Sequence, residues 1–334
     1  MKGSIKVGCI GCGSRGRLYS SLIGKIPGFE MWAYADKFEE KAIACLDEYG
    51  GSYATRDGRK VITDSSIDAV FICTHHDTHH LFAVEAAQNQ KHILIEKPMA
   101  MTIEDCREIE YEVAKAGVAL AVGFKMRFMP MIKMAKEMID APLMIVGQMM
   151  DNRWGDTSWA QQPHIGGGNV ISQGCHTADL LCYFAGSDPV KVYAQGGTMT
   201  HKNTDIIDNI VATIEFENGA IASMIQGDAG QNPFASKFFF ELFGKDGKGA
   251  CLYNRCHDAH YWGFQEFDHV TAETYSDETR ADPEGDFYLL KHFCQSLLDG
   301  KQTEVGPREG RIATTLILRV FDSIRSGETQ SIPI

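Results

Sequence analysis

The run Lys6-Val7-Gly8-Cys9-Ile10, followed by Gly11-Cys12-Gly13-Ser14-Arg15-Gly16, decides the N-terminal fold. The first five residues predict a short buried strand, and Arg17–Ile26 has the spacing of a helix. The glycines form a G-x-G-x-x-G element at a strand-to-helix turn, which is the context that makes the motif typical of dinucleotide binding. The N-terminus of the helix would offer its N–H groups and a positive dipole end to phosphates.

Each glycine has a separate role in such a turn. Gly11 permits the tight bend, Gly13 lets the backbone approach a pyrophosphate, and Gly16 allows the helix to pack closely on the strand. Asp36 stands twenty residues after Gly16, at the end of the second predicted strand. A carboxylate there accepts both ribose hydroxyls and repels a 2′-phosphate, so NAD is favoured as cofactor over NADP. The adjacent Lys37 can pair with that phosphate, which keeps NADP as the alternative.

The chain changes its pattern near residue 123. Before it, strands that are apolar throughout alternate with helices, which predicts a parallel sheet covered on both faces and a doubly wound fold. The predicted strands are Lys6–Ile10, Phe29–Ala35, Ala69–Thr74, His92–Glu96 and Val118–Gly123. After it, several strands follow one another with little helix between them. The fold class is therefore α/β, with an N-terminal Rossmann domain over residues 1–123 and a C-terminal α/β domain with a mostly antiparallel open sheet over residues 124–334.

Composition excludes several classes of function. The chain has 334 residues, 44% of them hydrophobic, and a formal net charge of −12. Nucleic-acid surfaces need clustered Lys and Arg, and anionic membranes repel an acidic protein, so neither partner is expected. Glycines interrupt the apolar run at the N-terminus, and no stretch approaches the ~20 apolar residues of a membrane span. We therefore expect a cytoplasmic protein whose ten cysteines remain thiols in the core.

The stretch Ile93-Leu94-Ile95-Glu96-Lys97-Pro98 places a lysine at the end of an apolar strand. Burial disfavours the ammonium form of Lys97, and an amine near neutrality can accept and return protons. The simpler interpretation is that Lys97 extends its amine to water. Pro98 favours the buried, proton-exchanging amine. An X-Pro bond is the usual place for a cis peptide, and a cis peptide can aim the Lys97 amine into the ligand crevice.

Four histidines crowd into Thr74-His75-His76-Asp77-Thr78-His79-His80. Spacing allows a metal site, since His75 and His79 can share a helical face. No partner cysteine or carboxylate has ligand spacing, however, so we predict no metal. The alternative is a loop beside the nicotinamide end of the cofactor, with Thr78 as a helix N-cap.

Two segments of the C-terminal half carry candidate substrate residues. In Gly166–Asp179, Ser172 and His176 are four residues apart and face the same side of a predicted helix. A lone helical histidine such as His176 is more often a core group than a catalytic one, and from its position alone the core interpretation is favoured. In Asn152–Trp159, tryptophan faces can pack on sugar rings while Arg153 and its neighbours bond hydroxyls, or the tryptophans can simply pin the loop.

Taken together, the motifs resemble the Gfo/Idh/MocA oxidoreductases, the group of glucose–fructose oxidoreductase and inositol dehydrogenase. The resemblance rests on the glycine turn, Thr74-x-x-x-x-His79, Glu96-Lys97-Pro98, Val122-Gly123-Phe124-x-x-Arg127-Phe128 and Gly166–Asp179. It implies that Lys97 and His176 flank the reacting hydroxyl as the catalytic pair and that Arg127 lies near cofactor or substrate. It also implies a homo-oligomer, dimer or tetramer, formed through the open sheet.

The resemblance implies an NAD(P)-dependent dehydrogenase acting on a CH–OH group of a sugar, polyol or sugar derivative. The predicted cofactor residues are Gly11, Cys12, Gly13, Ser14, Arg15, Gly16, Asp36, Lys37, Thr74, His75, His79, Glu96, Lys97 and Arg127. The predicted substrate residues are Lys97, Arg127, Arg153, Trp154, Ser172, Gln173 and His176. Many dehydrogenases of the group carry Asp where this chain has Ser172. The same motifs would also serve an NAD-dependent glycoside-cleaving enzyme that works by transient oxidation and elimination. A sensor with an idle nucleotide is a third class, which the presence of both Lys97 and His176 opposes.

Overall fold

The computed structural model describes residues 4–231, 237–265, 269–271, 273 and 282–334. Contacts divide the chain into two compact units. The first comprises residues 1–124 and 286–311, and the second comprises residues 125–285 and 312–334. The segment 286–311, which the sequence prediction placed in the C-terminal domain, thus packs with the N-terminal unit.

The first unit is built on a six-stranded sheet. Its strands are β1 (Ile5–Ile10), β2 (Phe29–Ala35), β3 (Tyr53–Thr55), β4 (Ala69–Ile72), β5 (His92–Ile95) and β6 (Leu120–Val122). Its first helices are α1 (Ser14–Ile23), α2 (Glu39–Tyr49), α3 (Gly58–Thr63), α4 (His79–Gln88) and α5 (Ile103–Ala116). The strand order is β3-β2-β1-β4-β5-β6 and every pairing is parallel. The predicted doubly wound parallel sheet is confirmed.

Burial explains why this sheet forms. Val7, Val70 and Leu94, in three adjacent strands, are fully buried. Strands that are apolar on both faces need helices on both sides, and the βα repeats provide them. The short β3 and α3 were not predicted; α3 begins where the Asp57 side chain accepts a hydrogen bond from the backbone N–H of Arg59.

The second unit is built on a nine-stranded sheet. Its elements before residue 271 are α6 (Pro130–Met138), β7 (Met144–Asn152), α7 (Asn169–Ser172), α8 (Gly174–Ala185), β8 (Pro189–Gly197), β9 (Asn209–Phe216), β10 (Ile221–Gly230), β11 (Phe239–Phe243), β12 (Gly249–Tyr253), β13 (Asp258–Trp262) and β14 (His269–Val270). The chain ends with α9 (Asp286–Asp299), α10 (Pro307–Ser326) and β15 (Gln330–Ser331). The strand order is β14-β13-β12-β11-β7-β10-β9-β8-β15. Only the β7–β10 pair among these described strands is parallel, so the predicted mostly antiparallel sheet is confirmed.

One face of this sheet packs on helices and the other is open. Helix α8 packs against β7 and β10. Along β9, side chains alternate between buried and exposed, as expected of a sheet with one solvated face. We call the other side the open sheet face and define it by its exposed apolar side chains, Met144, Tyr193, Val211 and Ile221. In the aromatic run Phe238-Phe239-Phe240, Phe238 and Phe240 are buried and Phe239 is half-exposed, so the run adds little to the exposed apolar surface.

The single helix predicted to carry Ser172 and His176 is two helices. Helix α7 ends at Ser172 and α8 begins at Gly174, with Gln173 between them. Ser172 and His176 therefore lie on different helices, and the argument that they share one helical face is corrected.

Two predictions from composition can be compared with the structure. No disulfide joins any of the ten cysteines, all of which lie in the described part of the chain. Most of them are buried, as expected of small core residues. None of the helices formed by the described residues is both long and apolar enough to cross a membrane.

Candidate active site

The predicted cofactor residues of the first unit gather at one edge of its sheet. Gly11 follows β1, Asp36 follows β2, and Lys97 follows β5 closely. Because all the strands are parallel, their carboxyl ends lie at the same edge. The chain winds outward in one direction from β1 and in the other from β4, so these two strands form the switch point at which open α/β sheets bind ligands.

The glycine turn has the geometry that a pyrophosphate requires. Gly11 has φ +94°, and a Cβ there would lie 2.5 Å from the carbonyl oxygen of Cys73. A Cβ on Gly16 would lie 2.0 Å from the carbonyl oxygen of Gly11, so only glycine allows α1 to approach β1 this closely. At Gly13, a Cβ would meet no heavy atom of the described residues within 4 Å. Gly13 is also the N-cap of α1 and supplies no side-chain acceptor to the first turn, so the N–H groups there fit a phosphate group.

Asp36 is held by the same turn. Its carboxylate accepts hydrogen bonds of 2.9 Å from the backbone N–H groups of Cys12 and Phe38. Each oxygen accepts one of these bonds, which leaves acceptor positions for ribose hydroxyls. Lys37 is exposed, and its Nζ lies 5.3 Å from the centroid of the Phe38 ring.

Arg15 and Glu96, both predicted to contact the cofactor, instead bind each other. Arg15 Nε lies 2.7 Å from Glu96 Oε1, and Arg15 Nη2 lies 2.5 Å from Asp286 Oδ1. The Tyr19 hydroxyl donates to the same Glu96 oxygen at 2.7 Å. Burial alone would raise the pKa of Glu96, but the positive charges of Arg15 and Lys97 lower it to about 2. In this structure the pair therefore has a structural role: the half-exposed Arg15 fixes the buried carboxylate of Glu96, the residue before Lys97.

Lys97 is half-buried, and its peptide bond to Pro98 is cis. The residue after it is held by His79, whose Nδ1 lies 2.8 Å from the carbonyl oxygen of Pro98. His79 Nε2 lies 3.2 Å from the carbonyl oxygen of Thr74, so the imidazole joins the loops after β4 and β5. Burial lowers the pKa of His79 although these backbone carbonyls oppose the shift. Being fully buried, His79 positions the Lys97 loop, which is a different role from the predicted cofactor contact.

The other members of the histidine cluster point to different partners. His80 Nε2 lies 2.9 Å from Glu108 Oε2. His75 is half-buried, and this burial lowers the pKa of its imidazole. Thr78 is the N-cap residue of α4, as predicted, but its hydroxyl lies 2.8 Å from that of Thr74 and caps no helical N–H. No group of three or more His, Cys, Asp and Glu side chains is placed to hold a metal ion within the ranges that the structure describes.

In the second unit, Arg127 is held by a carboxylate. Arg127 Nε donates to Asp179 Oδ2 at 2.9 Å, and Arg127 Nη2 donates to Asp179 Oδ1 at 2.6 Å. Asp179 lies on α8. The Arg127 guanidinium carbon lies 5.0 Å from the centroid of the Tyr183 ring. The Arg127 side chain is 12% exposed and that of Asp179 is 1% exposed. Arg127, predicted to contact cofactor or substrate, thus anchors α8 to the 3-10 turn Lys125–Phe128.

His176 lies in the first turn of α8 and is 4% exposed. Its ring packs edge-on against Phe238, with centroids 6.3 Å apart. The neighbouring Thr177 donates at 2.9 Å to Gln226 Oε1, and Gln226 Nε2 donates at 2.8 Å to Asn169 of α7. Gln226, a fully buried residue of β10, therefore holds both helices that carry Ser172 and His176.

The 152–168 loop follows β7. Arg153 is exposed and donates to Asp156 at 2.7 Å. The Trp154 indole N–H donates to Asp151 at 3.1 Å, and the Trp154 backbone N–H donates to Asp228 at 3.2 Å. The loop is therefore pinned, as one of the two sequence interpretations expects, while the Arg153 side chain stays at the surface.

Sequence reasoning missed Gln226, Asp228 and His201, the buried polar residues behind these segments. The sequence of β10 contains a signal for two of these three residues. In β10, Ala222 and Met224 face the core, and Gln226 and Asp228 continue the same alternation. Polar side chains at inward-facing positions of a strand require buried partners, and this marks them as candidates.

Comparison with known proteins places the chain in a family. Residues 5–124 match the profile "Oxidoreductase family, NAD-binding Rossmann fold", and residues 133–250 match the profile "GFO/IDH/MocA C-terminal domain". The uncharacterized oxidoreductase YrbE of Bacillus subtilis (strain 168) is 30% identical over 255 residues, which cover 75% of this chain and 74% of that protein. The chain belongs to the Gfo/Idh/MocA oxidoreductase family. As a Gfo/Idh/MocA oxidoreductase it has an NAD-binding Rossmann domain, so the resemblance and the cofactor class predicted from sequence are confirmed.

Two other relatives of this Gfo/Idh/MocA oxidoreductase match nearly its whole length. The scyllo-inositol 2-dehydrogenase (NAD(+)) of Bacillus subtilis (strain 168) is 25% identical over 344 residues, covering 98% of this chain and 96% of that protein. The structure of levoglucosan dehydrogenase in complex with NADH and levoglucosan superposes with a TM-score of 0.88 at 21% identity, covering 99% of this chain and all of that one. At this identity the structural likeness shows a shared fold.

Proposed function

We propose that this protein transfers a hydride between NAD and a CH–OH group of a sugar, polyol or sugar derivative. The observation that carries the proposal is Lys97, which follows β5 at the sheet edge where the glycine turn follows β1. An amine capable of exchanging protons and a turn suited to a pyrophosphate thus belong to one edge of one sheet. The relatives named above, which act on an inositol and on levoglucosan, support a carbohydrate as the substrate class.

Lys97 is the proposed general base. Its backbone is fixed on one side by the buried Glu96 carboxylate and on the other by His79 at the Pro98 carbonyl. A base held in this way loses little freedom when it accepts the hydroxyl proton, which is the benefit of a preorganised site. The bound nicotinamide supplies the hydride acceptor. Asp36 favours NAD over NADP, because its carboxylate opposes a 2′-phosphate.

The proposed substrate residues of the second unit are Arg153, Trp154, Ser172, Gln173 and His176. His176 is the proposed second catalytic group, supported by its place at the first turn of α8, which Gln226 and Arg127 hold rigid. Arg127 is excluded from direct substrate contact in this proposal because its guanidinium is bound to Asp179. We assign it a positioning role.

The test is a panel of sugars, polyols and aryl glycosides incubated with NAD or NADP, monitored for both reduced-cofactor absorbance and aglycone release. We expect reduced cofactor to accumulate with at least one free sugar or polyol, and with NAD in preference to NADP. Aglycone release without net reduction of cofactor would show the glycoside-cleaving alternative instead.

The Lys97→Met variant tests the base. We expect kcat to fall about 10²–10⁴-fold, the range of general-base contributions, in a variant that keeps the wild-type circular dichroism spectrum. Lys25→Met, at an exposed position of the same unit, is the matched control and should keep wild-type kcat. Wild-type kcat in Lys97→Met would refute the assignment.

We also propose that the protein is a cytoplasmic homo-oligomer that assembles through the open sheet face, with no nucleic-acid partner. Support comes from the exposed apolar side chains of that face, Val211 at 54% and Ile221 at 50%. Contiguous exposed apolar surface is typical of contact sites between subunits. The net charge of −12 supports the absence of a nucleic-acid partner.

A further inference from the structure

His201 is a buried histidine bridged by two carboxylates. Its Nδ1 lies 2.6 Å from Asp156 Oδ1, and its Nε2 lies 2.5 Å from Asp228 Oδ2. The side chains of His201 and Asp228 are fully buried, while that of Asp156 is 43% exposed. We call these three residues the His201 bridge.

A doubly protonated imidazole satisfies both carboxylates of the bridge. A carboxylate only accepts hydrogen bonds, so each ring nitrogen facing a carboxylate must carry a proton. The imidazolium also compensates the buried charge of Asp228, which would otherwise be costly. Burial alone would lower the pKa of His201, but its hydrogen bonds to Asp228 and Asp156 outweigh burial and raise the pKa above the usual 6.5.

The bridge holds the 152–168 loop at several points. Asp228 Oδ2 also accepts from the backbone N–H of Trp154 and from Gln161 Nε2, each at 3.2 Å. Asp156 Oδ1, the oxygen bound to His201, accepts from Arg153 Nη2 at 2.7 Å. The series of hydrogen bonds therefore runs from the fully buried carboxylate of Asp228 to the exposed guanidinium of Arg153.

Loss of one ring proton from His201 would break this series of hydrogen bonds at one carboxylate. A neutral imidazole donates through a single nitrogen, so one carboxylate would lose its partner. Asp156 is the one that can turn to water, since it is half-exposed, and Arg153 would then lose its fixed orientation. The other charged groups near the ring are Arg153 itself, which opposes protonation, and Asp208, which accepts the His201 backbone N–H at 2.7 Å.

We propose that His201 is a positioning residue for substrate binding: its protonated ring orients Arg153 and the 152–168 loop, and its deprotonation loosens them. The inference rests on the proposed function in that Arg153 and Trp154 are assigned to the substrate. Because His201 touches neither a proposed catalytic group nor the glycine turn, its loss acts on KM for the sugar and leaves kcat nearly unchanged.

The kinetic test uses His201→Gln, which keeps a buried amide but cannot bridge two carboxylates. We expect KM for the sugar to rise about tenfold, equivalent to about 1.4 kcal/mol, with kcat within about twofold of wild type. The wild-type KM should be low at acidic pH and rise as pH passes the folded pKa of His201, whereas the variant KM should lack this transition. His164→Gln, an exposed histidine in the same loop, is the matched control and should behave as wild type. An equal change in kcat, or an unchanged pH profile of KM, would overturn the proposal.

A second measurement does not depend on activity, so it separates failure of this inference from failure of the proposed function. Histidine ring signals in NMR, assigned by loss in His201→Gln, should show His201 titrating above the usual histidine pKa of 6.5. Amide exchange in residues 152–168 should accelerate in His201→Gln and, in wild type, at pH above that transition. If His201→Gln fails to fold, Asp156→Asn removes the half-exposed carboxylate instead and should lower the titration midpoint of His201. A titration midpoint of His201 at or below 6.5, or unchanged loop exchange, would reject the bridge as a positioning device.

Discussion

At the scale of single residues, the first unit contains a network of charged side chains that includes Glu96, the residue before the proposed base Lys97. Glu96 accepts from Arg15 and Tyr19, and Arg15 also binds Asp286 of α9. Removing one partner of a buried ion pair leaves the other charge without compensation, which costs more than the pair itself contributes. The network therefore fixes the end of β5 and also ties residues 286–311 to the first unit.

Glu96→Gln should destabilise the protein in a pH-dependent way. The folded pKa of Glu96 is lowered from 4.5 to about 2, so its contribution is present above the unfolded pKa and is lost as pH falls through the folded pKa. The shift corresponds to about 3 kcal/mol. Urea unfolding should show Glu96→Gln less stable than wild type by about this amount at neutral pH, with the difference shrinking between about pH 4.5 and 2.

The control for this prediction is Glu30→Gln, which changes an exposed glutamate of the same unit and should unfold like wild type. A Glu96→Gln protein as stable as wild type at neutral pH would show that the Glu96 charge contributes nothing.

At the scale of elements, helix α8 decides where His176 stands. Its N-terminal end is held by the Thr177–Gln226 bond to β10, and its middle is held by Asp179, which binds Arg127. The helix also ends at Gly186, a glycine in the left-handed conformation. A short helix fixed at three points keeps a buried side chain in one orientation.

Arg127→Lys should weaken this anchoring although it keeps the charge. The Arg127–Asp179 contact uses two guanidinium nitrogens, and a lysine offers one ammonium that cannot match this geometry. We expect the free energy of unfolding of the second unit to fall by about 2–3 kcal/mol. Thermal and urea unfolding measure this, with Arg325→Lys, an exposed arginine of α10, as the control. Equal stability of both variants would contradict the anchoring role.

Elements also show what sequence can and cannot predict. The parallel strands were predictable because a strand buried on both faces is apolar throughout, as in Ala69–Ile72. Strands β12–β14 were not, because the turn from β12 to β13 uses Asn254, Arg255 and Cys256 at positive φ in place of a glycine signal. The break at Gln173 was hidden for another reason: its backbone is close to helical, so its residue type gives no warning.

The candidate site also contains some residues that the sequence predicts and others that it does not. The glycine turn, Asp36 and Lys97 were found because their roles depend on local spacing along a strand and a turn. His201 was missed because its contact with Asp228 joins residues 27 positions apart, and such a contact leaves no local pattern around His201. Arg15 and Arg127 were found as charged residues but assigned to ligands, since sequence does not show which buried carboxylate a guanidinium meets.

At the scale of the whole molecule, the open sheet face and the net charge act in opposite directions. The face exposes Met144, Tyr193, Val211 and Ile221, and burying such apolar surface against a second copy is favourable. Each copy carries a charge of −12, however, so two copies repel one another at long range. Association should therefore strengthen as salt screens the repulsion.

Val211→Glu tests whether this face joins subunits. Val211 is 54% exposed on β9, an interior strand of the sheet, and a carboxylate there would be buried at the contact without a partner. We expect at least about a 100-fold loss of association, or about 2.7 kcal/mol, seen as a shift to single chains in light scattering and sedimentation at a fixed protein concentration. Leu298→Glu, at a 58% exposed position of α9, adds the same charge away from the face and should keep the wild-type mass. A wild-type protein that sediments as a single chain, or a Val211→Glu protein with the wild-type mass at all concentrations, would show that the face does not join subunits.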